Sequence, residues 1–473
     1  MSGATVAGPV TTATDGTYTI DVPDSALSSD LVFKSTGGIF DDEATGASGV
    51  GTAAGAMAAF VEGGSLAAGD SVHVTPGTTI HAGLITDYGQ TATEAQTAVF
   101  KAFAYNPDIS IEPVDITESD ALAASDLSRL AGYRAAVFSQ LAQNLGLAAA
   151  DQFDMFTALT QDMSDGTLDG VDANGAVAIG STGVSLPADI LNQYITTAAS
   201  FTDAATASYQ ISYSASGMTT HGKEKFTLTI TNKSDGTPVT GLVGSDSLSV
   251  MPMMYMAEMM HSTPMFSIDE PDPNAEPGVY EVTLFYLMPS RMMDGTTMGT
   301  WDLKVMVGME SAHFYPNVMM AMGDTVRVQL KGVDDTIIDM NGLEVGRTYN
   351  LFKDNLTITG AGNDSYSIFI APIETMMSFP ALLDPMTLQS GMGGTPYDVN
   401  NVTVDVNIND GGWIADYGID NLNGVWSLDN LTLNSGENTI KVRLTVSGEI
   451  KTTNGLSAVA DDNDFATFTV NVP

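Results

Sequence analysis

The spacing of hydrophobic positions changes twice along the 473 residues. In residues 14–23, TDGTYTIDVP, Tyr18, Ile20 and Val22 alternate with polar partners after an Asp15-Gly16 turn, and residues 30–38, DLVFKSTGG, add a second apolar run. Alternation with period two puts such side chains on one face of a strand, so a small β fragment is predicted over residues 1–40. From 87 to 202 the apolar residues fall three and four apart instead, in 94–106, 119–147, 151–163 and 187–201. Ser119 and Asp151 precede two of these runs, and Gly146 and Gly166 follow them. The spacing and caps predict about four helices in a mainly α-helical domain, 41–203, with TPGTTIH (75–81) as the loop that feeds it.

Beyond residue 204 the period returns to two and stays there. Alternating runs occupy 209–215, 225–232, 278–288, 299–308 and 324–332, and a second set runs from NLTITGA to FATFTVNV, ending at Pro473. Strands between polar turns, with no helices among them, predict two antiparallel sandwiches, at 204–332 and 333–473. Both contain a G-x-W-x-L strand, around Trp301 and around Trp426, which suggests a duplicated fold. The predicted class is therefore a multidomain α+β protein: a β fragment, a helical domain and two antiparallel β-sandwiches.

Composition then narrows the function. A chain with 44% hydrophobic and 15% charged residues folds rather than staying disordered. Sixteen Lys and Arg against 57 Asp and Glu leave a formal charge of -41, which repels a nucleic-acid backbone and excludes general DNA or RNA binding. No cysteine is present, so disulfides, thiolate nucleophiles and iron–sulfur ligation drop out together. No window approaches 18 consecutive apolar residues, so no transmembrane helix is expected. Met1-Ser2-Gly3 carries no secretory leader. The expectation is a mature exported protein, periplasmic, outer-membrane-anchored or at the cell surface, from which the signal and any anchoring cysteine have been removed.

Methionine is the anomaly. Of 26 methionines, sixteen lie between Met251 and Met322, densest in MPMMYMAEMMHS (251–262), and His261 and His313 fall in the same window, with Met218 and His221 just upstream. Methionine is a flexible gap-filler, and packing alone is one reading. On a strand, however, Met251 and Met253 take one face while Met254 and Met256 take the other, and only one of those faces can be core. The other reading is soft-metal binding. Thioethers are uncharged, need no deprotonation and favour Cu(I), imidazole can complete the set, and neither forms disulfides in oxidising surroundings. The candidate ligands are Met251, Met253, Met254, Met256, Met259, Met260, His261, Met265, Met298 and His313.

Two families share these motifs. His261-Ser262-Thr263-Pro264, then Pro277-Gly278-Val279-Tyr280 leading to Met288, then Met298-Gly299-Thr300-Trp301 with Leu303, resemble the YtkA-like and FixH-like domains over residues 205–331. The resemblance implies an extracytoplasmic immunoglobulin-like sandwich associated with copper, as a chaperone-like or delivery domain, through Met and His near 256–261 and Met298. This chain departs from the pattern by inserting 289–297, by an acidic loop at 269–276 and by its surplus of methionine. The second sandwich has Met376, Met377 and Met386 but no His, and reads as a scaffold copy. Residues 14–23 are similar to the last strand of a carboxypeptidase-regulatory-like sandwich, which implies a structural role.

Other chemistry is thinner. DGTLDGVDANG (165–175) and Asp461-Asp462-Asn463-Asp464 could offer oxygens to Ca²⁺, but neither matches the EF-hand loop, and solvated turns explain both. His73 and His81 read as structural. No G-x-S-x-G, H-E-x-x-H, P-loop or dinucleotide fingerprint occurs, so no catalysis is expected. The expectation is copper capture, buffering or delivery, with metal and a transfer or self-association partner. The alternative is a structural or adhesive surface protein that assembles by strand addition through its N-terminal strand.

Overall fold

The computed structural model describes all residues except 1–2, 53–54, 204–205, 245–246, 361 and 458–463; Asp461, Asp462 and Asn463 thus lie outside the described residues, as does the expected boundary at 204. The chain divides into two compact units, Met1–Ala207 with Glu310–Tyr315, and Ser208–Met309 with Pro316–Pro473.

In the first unit, β1 (Leu31–Thr36) pairs antiparallel with β4 (Ala56–Val61), and β2 (Ile39–Asp42) with β3 (Ala47–Gly51). The expected end of the β fragment at residue 40 falls inside β2. Residues 14–23 form no strand, and Tyr18 donates its hydroxyl hydrogen to the Val72 carbonyl at 2.8 Å. Five helices follow: α1 (Pro76–Thr86), α2 (Ala92–Phe103), α3 (Asp126–Asn144), α4 (Gln152–Asp162) and α5 (Ile190–Ser200). The segment 75–81 is thus the start of a helix and not a loop. Thr75 caps it, its hydroxyl accepting from the Thr78 amide while the Thr78 hydroxyl accepts from the Thr75 amide, and Pro76 fits the first turn, where no amide donor is needed. Thr78 and Thr79 then tie α1 to Ala58 of β4. Phe103, Phe138, Phe156 and Tyr194 close the helical core, with ring centroids 4.7 to 5.9 Å apart. The strand Glu310–Phe314 completes this unit by pairing with 202–203.

The second unit is all β. Its first half contains β5 (Tyr209–Ala215), β6 (Gly222–Asn232), β7 (Leu248–Tyr255), β8 (Met260–His261), β9 (Met265–Asp269), β10 (Val279–Tyr286) and β11 (Thr300–Val307). One sheet runs β9-β10-β6-β5, while β8, β7 and β11 lie side by side in the other. The Tyr286 and Trp301 rings meet between the sheets at 4.8 Å. The second half contains β12 (Arg327–Ile338), β13 (Glu344–Thr357), β14 (Asp364–Pro372), β15 (Thr403–Ile408), β16 (Val425–Leu431), β17 (Gly436–Val446) and β18 (Ala466–Val472). Its sheets are β12-β13-β14-β16 and β15-β17-β18, sharing one apolar core in which Tyr366 meets Phe468. The expected division at 332/333 falls inside β12, where Gly332 and its acidic neighbours form a bulge between Lys331 and Thr336 rather than a linker.

The two halves are not copies. The Trp301 strand pairs with β7, in the sheet opposite the β5–β6 hairpin, whereas the Trp426 strand pairs with β14, in the same sheet as the β12–β13 hairpin. What the two G-x-W-x-L runs share is a steric demand at the glycine. A Cβ on Gly299 would lie 2.1 Å from the Tyr255 carbonyl, and one on Gly424, at φ +84°, 2.6 Å from the Ala381 side chain. The halves meet through Phe285, Leu287, Phe352, Phe369, Phe379 and Val425, with the Phe285 and Phe369 rings stacked at 4.4 Å.

Candidate metal centre

Strand β7 sorts the methionines by face. Leu248, Val250, Pro252 and Met254 point inward and are buried, while Ser249 and Met251 are exposed and Met253 and Tyr255 are half-buried on the outer face. Met254 is fully buried, directly opposite His261 of β8 on one side and Trp301 of β11 on the other. The His261 and Trp301 rings sit edge to face at 5.5 Å, and Tyr286 packs on Trp301 from the facing sheet. His261, Met254, Trp301 and Tyr286 therefore converge inside the first sandwich.

The protonation of His261 is fixed by its neighbour. Its Nδ1 lies 2.7 Å from the Ser262 carbonyl, which can only accept, so Nδ1 carries the hydrogen. That leaves the Nε2 lone pair bare, and this atom is buried with no hydrogen-bond partner. Burial pushes the imidazole pKa down, and the Arg327 guanidinium adds to that shift. A neutral imidazole with one nitrogen tied to a carbonyl and the other free is the form that ligates metal. Among the described residues, no three or more His, Asp or Glu side chains gather in a way that could hold an ion.

The other predicted ligands disperse. Met256 and Met259 belong to the turn between β7 and β8, closed by the Met256 amide donating to the Met259 carbonyl at 2.9 Å. Met251, Met253 and Met260 lie on the outer face. Met265 is on β9, in the other sheet, opposite Leu284. Met298 precedes β11, its amide bonded to the Ser290 carbonyl at 2.9 Å. His313 belongs to the first unit, buried with Nε2 3.8 Å from an Asp126 carboxylate oxygen, and does not join the set. The chain leaves the methionine-rich unit after Met309, a break that sequence proximity hides.

Three residues at this end of the sandwich were not among the sequence candidates. His221 receives the Ala321 amide on Nδ1 at 2.9 Å, and its own amide donates to the Met319 carbonyl, so its neutral ring carries hydrogen on Nε2 and is the structural member of the pair. Arg327 donates to the Leu287 carbonyl, and its charge lowers the pKa of both His221 and His261. Glu224 faces inward from β6, and burial pushes its pKa up to about 7. Only the position of His221 beside Met218 hinted at any of the three. From the second sandwich, Met376 reaches the same place, its carbonyl accepting the Ser262 amide at 2.9 Å.

The raised pKa of Glu224 has a measurable consequence. Between its ordinary value of 4.5 and about 7 the folded chain holds a proton that the unfolded chain has lost, so this group lowers stability as pH rises through that window. Glu224→Gln is expected to stabilise the protein by about 1–2 kcal/mol at pH 8, once the shift is discounted for solvent screening, and by nothing at pH 4, read as a melting-temperature gap that opens with pH. A gap that stays constant from pH 5 to 8 would contradict the buried placement of this carboxyl.

The acidic turn at 165–175 is self-contained: Asp165 bonds Thr167, Asp169 the Val171 amide, and Asp172 both Gln161 and Asn174. The buried Asp162 carboxylate accepts the Gly170 amide at 2.9 Å. No helix among the described residues is long and apolar enough to cross a membrane.

Comparison with known proteins adds little. No family model matches the chain, and no curated protein matches it. Among solved structures, the endo-fucoidan hydrolase MfFcnA4 of glycoside hydrolase family 107 aligns at 11% identity and a TM-score of 0.14, over 68% of this chain and 52% of that one. MfFcnA9 of the same family aligns at 11% identity and a TM-score of 0.14, over 67% and 44%. The chain spans about half the length of these hydrolases, and a TM-score of 0.14 establishes neither a shared fold nor a shared activity.

Proposed function

We propose that this is an exported, methionine-rich protein that captures, buffers or delivers Cu(I) at the cell envelope, without catalysis of its own, and that its first sandwich is an immunoglobulin-like carrier of the metal. The observation that carries the reading is the bare, buried Nε2 of His261, whose residue is the cross-strand partner of the buried Met254. A neutral nitrogen and a neutral sulfur suit a soft monovalent ion. The Arg327 charge nearby penalises a divalent ion about twice as much as a monovalent one, since the Coulomb cost scales with ionic charge. The exterior, at a formal -41, draws cations towards the surface.

The test is anaerobic titration with Cu(I) against a competing chelator. Met254→Leu with His261→Ala is expected to weaken the inner site at least tenfold while leaving far-ultraviolet circular dichroism unchanged. Undiminished uptake by a folded double variant would remove the basis of the reading. Titration with Ca²⁺ under the same conditions is the matching control for oxygen-ligand binding.

A further inference from the structure

The outer face of the same sheet carries a second set of sulfurs. In register, Met260 lies opposite Tyr255, Met251 opposite Lys304, Met253 opposite Asp302, and Ser249 opposite Met306. Directly paired residues share a face, so Met260, Met253, Met251 and Met306 all project to the side away from His261 and Met254. Met260 is diagonal to Met253, Met253 is two residues from Met251, and Met251 is diagonal to Met306. Each step spans about 7 Å between Cα atoms. A methionine side chain has three rotatable bonds, so neighbouring sulfurs across such a step can turn onto one ion.

Packing does not account for this row. Met251 is 47% and Met260 50% exposed, whereas the inward residues of the same strand, Leu248, Val250, Pro252 and Met254, supply the core. The same face carries Asp302 opposite Met253 and Lys304 opposite Met251, so its fixed charges offset each other. Thioethers bring no charge and no need for deprotonation, so the row suits a soft monovalent cation.

We propose that Met251, Met253 and Met260 form a second soft-metal site on the outer face of this sheet, separate from the inner His261–Met254 site and taking Cu(I) or its surrogate Ag(I). This rests on the soft-metal reading above, but the two sites occupy opposite faces and can be removed independently. The inner one is closed from solvent. At the outer one Met251 and Met260 are about half exposed, the placement expected of a site that exchanges metal with a partner also offering thioether or imidazole ligands.

The experiment uses the full chain and Ag(I), which needs no reductant, and counts bound ions by native mass spectrometry at equal free silver. Chains labelled with carbon-13 in the methionine methyls report which sulfurs shift. The wild-type chain is expected to hold two ions, and Met251→Leu/Met253→Leu/Met260→Leu one, with a melting temperature within about 2 °C of wild type because the replaced side chains face outward. The methyls of Met251, Met253 and Met260 are expected to shift together, in both the wild type and the Met254→Leu/His261→Ala variant. If the triple variant still holds two ions, or if those methyls do not move, the outer site does not exist. A single ion lost only with Met254 and His261 would likewise overturn it while sustaining the inner site. A single ion lost only in the triple variant would sustain the outer site and overturn the inner one.

Discussion

Asp335→Ala is expected to destabilise the second sandwich by about 3–5 kcal/mol, the cost of leaving buried cations without their counter-charge. Asp335, Arg347 and Lys451 are all fully buried. The Arg347 guanidinium donates from Nε to both Asp335 oxygens at 2.9 and 3.1 Å, from one terminal nitrogen to the Ile373 and Gln389 carbonyls, and from the other to the Ser390 hydroxyl. The Tyr349 hydroxyl donates to Asp335 at 2.6 Å, and Lys451 lies 3.6 Å from Asp335 and 3.0 Å from Glu449. Glu449 in turn accepts the amides of Val333, Asp334 and Asp335, which holds the bulge of β12 in place. Removing Asp335 strands the Arg347 guanidinium and leaves the Tyr349 hydroxyl without its acceptor. Chemical denaturation of the full chain measures the cost. A loss below about 1 kcal/mol would mean that water reaches these groups.

Phe285→Ala should cost about as much, 3–5 kcal/mol, and should change the form of the transition as well as its midpoint. Phe285 is fully buried, stacked on Phe369 at 4.4 Å and in ring contact with Phe352 at 5.1 Å, where the two sandwiches share their apolar boundary. Polar ties also cross it, among them Lys223 to Asp354 at 2.5 Å, Arg327 to the Leu287 carbonyl and the Ser262 amide to the Met376 carbonyl. Calorimetry should show the two sandwiches melting together in the wild type and separately in the variant. One undivided, unshifted peak in Phe285→Ala would show that the cluster does not couple them.

Strands were the legible part of this chain. The alternation of 209–215 coincides with β5, and the face assignment of Met251 and Met253 against Met254 follows from period two alone. Misreadings came where local pattern and pairing disagree. Residues 14–23 alternate well, but a strand needs a partner edge, and this segment pairs with none. TPGTTIH carries turn residues, and the same Pro and Thr open a helix once Thr75 and Thr78 cap each other. The paired Trp motifs report a shared need for glycine against a neighbouring group, not a shared topology. At the candidate site, His261 and Met254 are both legible in the methionine-rich run 251–262. Their union is not, because it depends on the β7–β8 register, on a carbonyl that sets a tautomer, and on Arg327, which is 66 positions further along. His313 shows the converse, near in sequence and in another unit.

The return of Glu310–Tyr315 to the first unit governs the order in which the chain can be assembled. Synthesis proceeds from the N-terminus, so the helical unit emerges from the ribosome well before its last strand does. Until residue 315 has been made, the 202–203 edge waits without its mate, while the methionine-rich strands are already free to fold. A stop placed after Ala207 therefore yields an unfinished body, and limited proteolysis between 207 and 208 would nick the polypeptide without releasing two intact halves.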